Sequence, residues 1–374
     1  GDFVILNNEN QKIRMKYMEK RVLLVTLQGD NYGNRLQNYA LQTVLKKNGC
    51  EVYTPFYDPV EFEKSSSKIK FLIKALIGYL GGKKWKKDYF RFRRLIRYEK
   101  FNAQFIDNRF KIDYSNVNQM NWDKFDYAVT GSDQVWHGWS KNEDELRFFY
   151  LSFIDKKKRM AYAPSFGFTA FPDENIDIHK KGLSEISFIS SREQSGADLI
   201  ESLVGRKSCV VLDPTLLLTA EDWNDFEEKP RMLKSNRYIA VYFLGEARYK
   251  KEIEVFSKEK GLEIVDLNNK ESLSSRLIAP EEFVWIIHHA EYVFTDSFHA
   301  CVFSLLFKKH FLVFERVGKG TEGMFDRITD LMDVFGTKDR ICYTGNLNQI
   351  VGDYSIKDIT RKRNESMDFL KQIL

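Results

Sequence analysis

Tyr292-Val-Phe-Thr-Asp-Ser-Phe-His-Ala-Cys-Val-Phe-Ser-Leu-Leu306 reads as a short apolar strand, a polar turn and an apolar helix. Asp296 and Ser297 are residue types that cap a helix N-terminus, so the break between strand and helix is well marked. In an open α/β sheet the carboxyl end of a strand is where ligands bind. The first turn of the following helix adds unpaired N–H groups and a partial positive charge, which suit an anion. His299 stands alone at this junction. A capped helix with a packed histidine accounts for the segment as well, so the weight falls on what surrounds it.

The same grammar recurs along the chain. Arg21–Leu27 is a buried-strand run, followed by the loop Gln28–Asn34 and a helical pattern from Arg35 to Asn48 that stops at Gly49. Val52–Phe56 completes a βαβ unit. Tyr127–Thr130 runs into Gly131–Trp136, Arg159–Ala163 into Pro164–Gly167, and Phe188–Ser191 into Arg192–Gly196. After Leu212-Asp-Pro-Thr215 a second series begins with the strand Tyr238–Phe243 and a helix that ends at Gly261. Leu262–Asp266, Tyr292–Thr295 and His310–Phe314 are further strands; Phe283–Ala290, Met324–Phe335 and Asp358–Leu374 are helical. Two alternating halves joined near residues 200–220 predict an α/β protein of two Rossmann-like domains facing a cleft. The expected bounds are a polar leader at 1–20, a first domain at 21–205 with a basic insertion at 60–120, and a second domain at 206–374.

The chain has 374 residues, 43% hydrophobic and 14% aromatic, enough to bury two cores of ordinary size. Cys50, Cys209, Cys301 and Cys342 stand far apart without metal-type spacing, as expected in a reducing cytosol. No signal-peptide pattern opens the sequence, and the longest apolar run, Ile69–Leu80, is interrupted by Lys70 and Lys74. A soluble, cytoplasmic protein is the expectation. The net charge of +5 is unevenly spread: residues 64–100 carry 13 Lys or Arg against Asp88 and Glu99. Aromatic and aliphatic side chains interleave with these charges, which fits peripheral contact with an anionic membrane at its inner face, or equally a solvated helical excursion packed on its own domain. Nucleic acid is not expected, because one basic segment without a binding motif is a poor footprint for it.

Several chemistries drop out. Loop 28–34 lacks the full dinucleotide pattern, and no phosphate-binding P-loop or Gly-x-Ser-x-Gly elbow occurs. His288-His289 has no acidic partner at metal spacing and is expected to cap or pack its helix. Neither a metal nor a cofactor is expected. What remains are turn residues at strand ends: Asn31, Asn34, Ser132, Asp133, Ser165, Arg192, Glu193, Ser297 and His299. Arginine is the natural fork for carboxylate or phosphate, and histidine the natural proton carrier near neutral pH. The set fits an anionic substrate whose reaction needs acid–base help, although Arg192-Glu193 alone is just as well a surface ion pair.

Gly29-Asp-Asn-Tyr-Gly-Asn-Arg-Leu-Gln-Asn-Tyr-Ala-Leu-Gln42 resembles the opening loop and helix of the polysaccharide pyruvyl transferase family. Gly131–Trp136, Tyr162–Gly167, Ser191-Arg-Glu193, Leu212–Leu217 and Thr295–His299 resemble its later blocks, in order, over about residues 21–340. The resemblance implies a GT-B-like fold with two Rossmann-type domains, the first on the acceptor side and the second on the donor side. It implies a transferase active in surface-polysaccharide biosynthesis that moves a pyruvyl group from phosphoenolpyruvate onto a lipid- or nucleotide-linked sugar as a cyclic ketal. His299 takes the acid–base role of the last block, and Arg192, with Ser297, Phe298 and Arg327, the donor's anionic groups. Asn31, Asn34, Ser132, Asp133 and Ser165 are left for the acceptor. Several relatives place Arg where this chain has Ser297, so Arg192, Arg316, Lys319 or Arg327 has to supply that charge if the donor is the same. A GT-B glycosyltransferase with a nucleotide-sugar donor and a non-catalytic member of an assembly complex are the alternative readings.

Overall fold

The structure, a computed structural model, describes residues 20–29, 31–56, 83–114, 116–138, 142–233, 235–246, 249–270, 272–318 and 325–373. The polar leader, the apolar run 69–80 and Lys319 lie outside the described residues, as does most of the N-terminal half of the basic insertion.

Seven strands form the first sheet: β1 (Lys20–Val25), β2 (Cys50–Phe56), β3 (Arg109–Lys111), β4 (Tyr127–Thr130), β5 (Arg159–Ala161), β6 (Phe188–Ser191) and β7 (Cys209–Val210). Their order is β3-β2-β1-β4-β5-β6-β7, and every pairing is parallel. A parallel sheet has both faces covered by helices, so its central strands read as continuous apolar runs. Val22, Leu23, Leu24 and Val25 are accordingly all buried. The short edge strands β3 and β7 carry no such run, which is why the sequence pattern does not announce them.

The second sheet contains β8 (Tyr238–Tyr242), β9 (Glu263–Asp266), β10 (Tyr292–Thr295) and β11 (His310–Val313), in the parallel order β11-β10-β8-β9. Both sheets are doubly wound. The strand order reverses between β1 and β4 in the first and between β8 and β10 in the second. Those two switch points are where an open α/β sheet forms a crevice at its carboxyl edge. The result is the GT-B-like arrangement of two Rossmann-type sheets that the sequence predicts.

Each half keeps a buried cluster of its own, and a third cluster is shared between them. One buried cluster runs from Val22 and Leu24 of β1 through Ala240 of β8 to Val293 of β10. Tyr32 of the helix Tyr32–Lys47 stacks on Phe283 of the helix Pro280–His289, with centroids 4.5 Å apart, and donates its hydroxyl to the Leu267 carbonyl at 3.4 Å. Trp223, fully buried, touches Tyr39 from the first half and Phe303 from the second, and donates its indole N–H to Thr215 O at 3.0 Å.

Two expectations change in detail. The last helix, Thr360–Leu370, returns to the first sheet instead of completing the second. Its Ser366 hydroxyl accepts from Leu212 N at 2.9 Å, its Arg363 donates to Leu216 O at 2.8 Å, and Lys20 of β1 donates to Ile373 O at 3.0 Å. The unit 206–374 thus gives up its C-terminal helix to its neighbour. The described part of the basic segment is also less of a surface than its charge suggests. In the helix Lys83–Phe105, Arg94 is buried with its guanidinium over the Tyr32 ring, and Arg97 pairs with Glu282 at 2.7 Å. Arg91 and Lys100 are exposed. Among the described residues no helix is long and apolar enough to cross a membrane.

Trp223 joins the two halves in a single buried cluster, so Trp223→Ala should cost about 3–5 kcal/mol, the usual range for emptying a large aromatic site. Urea unfolding reads this directly. A cost under about 1 kcal/mol would mean that the interface collapses onto the gap without loss.

Candidate active site at the two switch points

Loop residues from both sheets meet where the switch points face each other. On the first sheet, β1 leads through residues 26–31 into the helix Tyr32–Lys47, and β4 leads into Gly131–Trp136. Buried Gln37 ties the two loops together, donating to Thr26 Oγ1 at 2.6 Å and accepting from Ser132 N at 2.9 Å. Asn34 donates to Asp133 Oδ2 at 2.6 Å, and Asn31 caps the helix by accepting from Gly33 N at 3.0 Å. On the second sheet, Asp296 accepts from Leu244 N at 2.7 Å and Gly245 N at 2.8 Å, which joins the loop after β8 to the loop after β10. Arg316, just past β11, donates to Asp296 O at 3.0 Å. Ser297, at the N-cap of the helix Phe298–Leu306, makes no side-chain cap bond.

Asp213 sits at the centre. This buried carboxylate accepts from Ser132 Oγ at 3.0 Å and Arg192 Nη1 at 3.1 Å on one oxygen, and from Thr215 N at 3.0 Å and Thr215 Oγ1 at 2.6 Å on the other. Its carboxyl is held well below the usual range: burial alone would raise it, but His299 and Arg192 outweigh that penalty. Asp133 is lowered for the same reasons, burial opposed by Arg192, His299 and Arg327. Neighbouring Glu193 goes the other way, because there burial outweighs the attraction of Arg192.

His299 lies across from this carboxylate, with Nε2 3.7 Å from Asp213 Oδ2. Its opposite edge fits against Gly33. A Cβ at residue 33 would stand 2.1 Å from Nδ1 and 2.6 Å from Cε1 of the imidazole, far inside any real contact. Glycine is there to make room for the ring.

These elements enclose a cleft of about 470 Å3. His299, Phe298, Ser297, Arg316 and Arg327 line it from the second half, with Asn31, Asn34, Asp133 and Gln134 from the first. Phe56, Tyr114, Phe148 and Phe149 add an aromatic wall on the first-sheet side. Arg327 lies 3.8 Å from Asp133, and its pKa is brought down to about 10 by burial and by Arg192, with Asp133 opposing.

Most of the residues predicted from sequence converge here, though not all face the cleft. Arg192 lies beneath it, paired with Asp213 and 3.5 Å from Asp133, its guanidinium 4.4 Å over the Phe298 ring. Phe298 is therefore a lid on Arg192 rather than its partner in holding a ligand. Ser132 and Ser165 are fully buried and serve the scaffold: Ser132 braces Asp213, and Ser165 N donates to the Asp133 carbonyl at 2.8 Å. Asp213 is absent from the residues predicted from sequence. Its signal was present in Leu212-Asp-Pro-Thr215, a turn in which Asp accepts from the backbone two residues on. The aromatic wall carries no local signature, because its members come from β2, the loop after β3 and the helix Glu143–Phe149.

Residues 31–316 match the model of the polysaccharide pyruvyl transferase family. The chain belongs to that family. No curated protein matches it in sequence. Among solved structures this pyruvyl transferase family member is similar to UDP-GlcNAc 2-epimerase from Neisseria meningitidis bound to UDP-GlcNAc, at 9% identity and TM-score 0.48 over 95% of this chain and 100% of that one. The UDP-GlcNAc 2-epimerase from Methanocaldococcus jannaschii gives 12% identity and TM-score 0.48 over 95% and 99%. The E. coli heptosyltransferase with ADP-2-deoxy-2-fluoro heptose gives 10% identity and TM-score 0.34 over 84% and 99%.

Two outcomes follow from this geometry. Gly33→Ala should displace the imidazole and lower turnover about a hundredfold, the order expected for a 1 Å misplacement, while thermal stability changes little; undiminished turnover would show that the ring does not need the space. Asp213→Asn should cost about 3–5 kcal/mol, because it leaves Arg192 buried beside a neutral partner. The depressed pKa of Asp213 also fixes the pH dependence. Its contribution is fully present above the unfolded value of about 3.9 and is lost as pH falls below that toward the folded value. Acid unfolding curves of Asp213→Asn should lack that limb.

Proposed function

We propose that this protein transfers the pyruvyl group of phosphoenolpyruvate to two hydroxyls of a sugar in a surface-polysaccharide precursor, forming a cyclic ketal. The observation that carries the reading is the pairing of His299 with the ionised Asp213 on a cleft that Arg316 and Arg327 also line. A carboxylate that orients one imidazole nitrogen leaves the other for substrate. Here Asp213 faces Nε2, and the imidazole lines the cleft.

The chemistry balances without a cofactor. His299 delivers a proton to the enol methylene, which becomes a methyl group, and the adjacent carbon becomes electrophilic. A sugar hydroxyl adds to that carbon and loses its proton. Phosphate then leaves with the former enol oxygen, and a second hydroxyl adds to close the ketal, losing its proton in turn. Arg316, Arg327 and the first-turn amides of the helix Phe298–Leu306 are placed to hold the carboxylate and phosphate. Arg316 and Arg327 thereby supply the charge that relatives carry at the position of Ser297, while buried Arg192 acts through Asp213 and Phe298.

The acceptor falls to the opposite wall, where Phe56, Tyr114 and Phe148 offer faces against which a sugar ring packs. Among the described residues, the second half contributes only one Phe, Tyr or Trp side chain to the cleft, Phe298, whose far face packs on Arg192. A nucleotide donor needs a base-stacking platform there; a small dianionic donor does not. A cytoplasmic location and contact of segment 64–100 with an anionic membrane, where a lipid-linked acceptor would reside, belong to the same proposal. Flotation with anionic liposomes at low salt, reversed at high salt, is the expected result; no binding at either would remove the membrane part.

Incubation with phosphoenolpyruvate and a panel of lipid- and nucleotide-linked sugars should release phosphate and yield a product heavier by one pyruvyl ketal. His299→Asn should lower this by about 10²–10⁴-fold, the span of general acid catalysis, without unfolding the protein. Full activity of that variant would refute the role of His299. Consumption of a nucleotide-sugar with no phosphoenolpyruvate would favour the glycosyltransferase reading.

A further inference from the structure

We propose that Glu227, His288 and His289 form a binding site for one divalent transition-metal ion, with zinc the best match to the donor set, outside the catalytic cleft. Sequence spacing alone pairs no acid with the two histidines for metal binding, but the fold brings one in. Glu227 follows the helix Ala220–Phe226 as its C-cap, and the imidazoles end the helix Pro280–His289.

The three donor atoms have the spacing of a coordination polyhedron. Glu227 Oε1 lies 3.0 Å from His288 Nδ1 and 3.6 Å from His289 Nδ1, and all three ligand atoms lie within 4.8 Å of one another. Zinc held tetrahedrally at about 2.0–2.1 Å sets its ligand atoms about 3.3 Å apart, so the two Glu–His distances bracket the required edge. Each Glu–His edge changes by a few tenths of an ångström to reach that value, and the His288–His289 edge, within 4.8 Å, closes toward it.

The rings are already oriented. His288 stacks on Phe307 at 3.9 Å and 11°, and His289 on Trp285 at 4.1 Å and 12°. Preorganised ligands lose little rotamer freedom on binding. His289 Nδ1 lies 3.0 Å from the Trp285 carbonyl, so ligation places its proton on Nε2 and turns that carbonyl into a neighbour of the ion. The His289 side chain is 40% exposed, which leaves a route for the ion and room for a water ligand.

Charge favours a cation as well. The Glu227 side chain is only 5% exposed, so its carboxylate gains from a counter-charge held close to it. A dication supplies one. The C-terminal end of the Pro280–His289 helix also turns its partial negative charge toward the site. Two cations oppose this: Lys309, whose charge helps to lower the pKa of His288, and exposed Lys229, 5.4 Å over the Trp285 ring. Both are long side chains whose ammonium can move outward. A bound ion would clamp the end of the Ala220–Phe226 helix, and with it Trp223, to the second half.

The test is calorimetric titration of the full, tag-free, chelator-stripped chain with zinc chloride. One ion per chain is expected, with affinity reduced at least tenfold in Glu227→Gln and in His288→Asn, and with a zinc-dependent rise in Tm that both variants lose. Phosphate release from phosphoenolpyruvate should not change in these variants, which separates this site from the cleft. Absence of zinc binding, or binding of equal strength in the variants, would overturn the proposal. If Glu227→Gln fails to fold, His289→Asn, the most exposed of the three, carries the same comparison.

Discussion

The ionised carboxylate of Asp213 is the interaction on which the rest of the site depends. Burying an anion costs several kcal/mol unless its oxygens are fully engaged. Here one oxygen takes both donors of Thr215 and the other takes Ser132 and Arg192, with His299 facing the same edge. Each of those partners comes from a different loop: the turn after β7, the turn after β4, the end of β6, and the start of the helix after β10. The carboxylate therefore sets the positions of four strand ends at once, and the histidine it faces belongs to the other sheet. Net stability is not the gain from such a hub. What it provides is a single arrangement of loops that would otherwise be mobile.

That constraint explains the small residues around it. Gly33 has no Cβ because the imidazole occupies that space, and Gly245 has none because Val317 O would be 2.6 Å away. The arginines around the cleft are anchored on carboxylates and a carbonyl as well. Arg192 balances Asp213 and Asp133 beneath the cleft, while Arg316 is fastened to Asp296 and Arg327 leans toward Asp133. On the proposed function, Arg316 and Arg327 meet a small anionic group on one side of the cleft, and Phe56, Tyr114 and Phe148 a sugar face on the other.

The double alternation of apolar strand, turn and helix was legible in the sequence, because a strand buried on both faces leaves an unbroken apolar run. So was the position of His299 where a strand gives way to a helix, but not its role, because a capped helix with a packed histidine leaves the same pattern. The edge strands β3 and β7 were not legible: Arg109-Phe-Lys111 and Cys209-Val210 owe their conformation to neighbours, not to pattern. The return of the last helix to β1 and to the loop after β7 was hidden for the same reason, since an amphipathic helix does not say which surface it covers. Arg192 was read as a donor-binding residue, and the structure sets it beneath the cleft, paired with Asp213. Sequence marks an arginine at a strand end but cannot show that an adjacent aromatic, Phe298, lies between it and the cleft. Glu227 beside His288 and His289 illustrates the general limit: local spacing is blind to a partner that only the fold delivers.

If His299 is the proton donor to an enol carbon, the added hydrogen must come from solvent. A reaction of phosphoenolpyruvate and sugar acceptor run in deuterium oxide, with the product examined by mass spectrometry and proton NMR, reads that step directly. The product should carry one deuterium in the methyl group of its ketal for each turnover. A pyruvylated product whose methyl group holds no solvent deuterium, or a glycosylated product with no pyruvyl group, would contradict the mechanism.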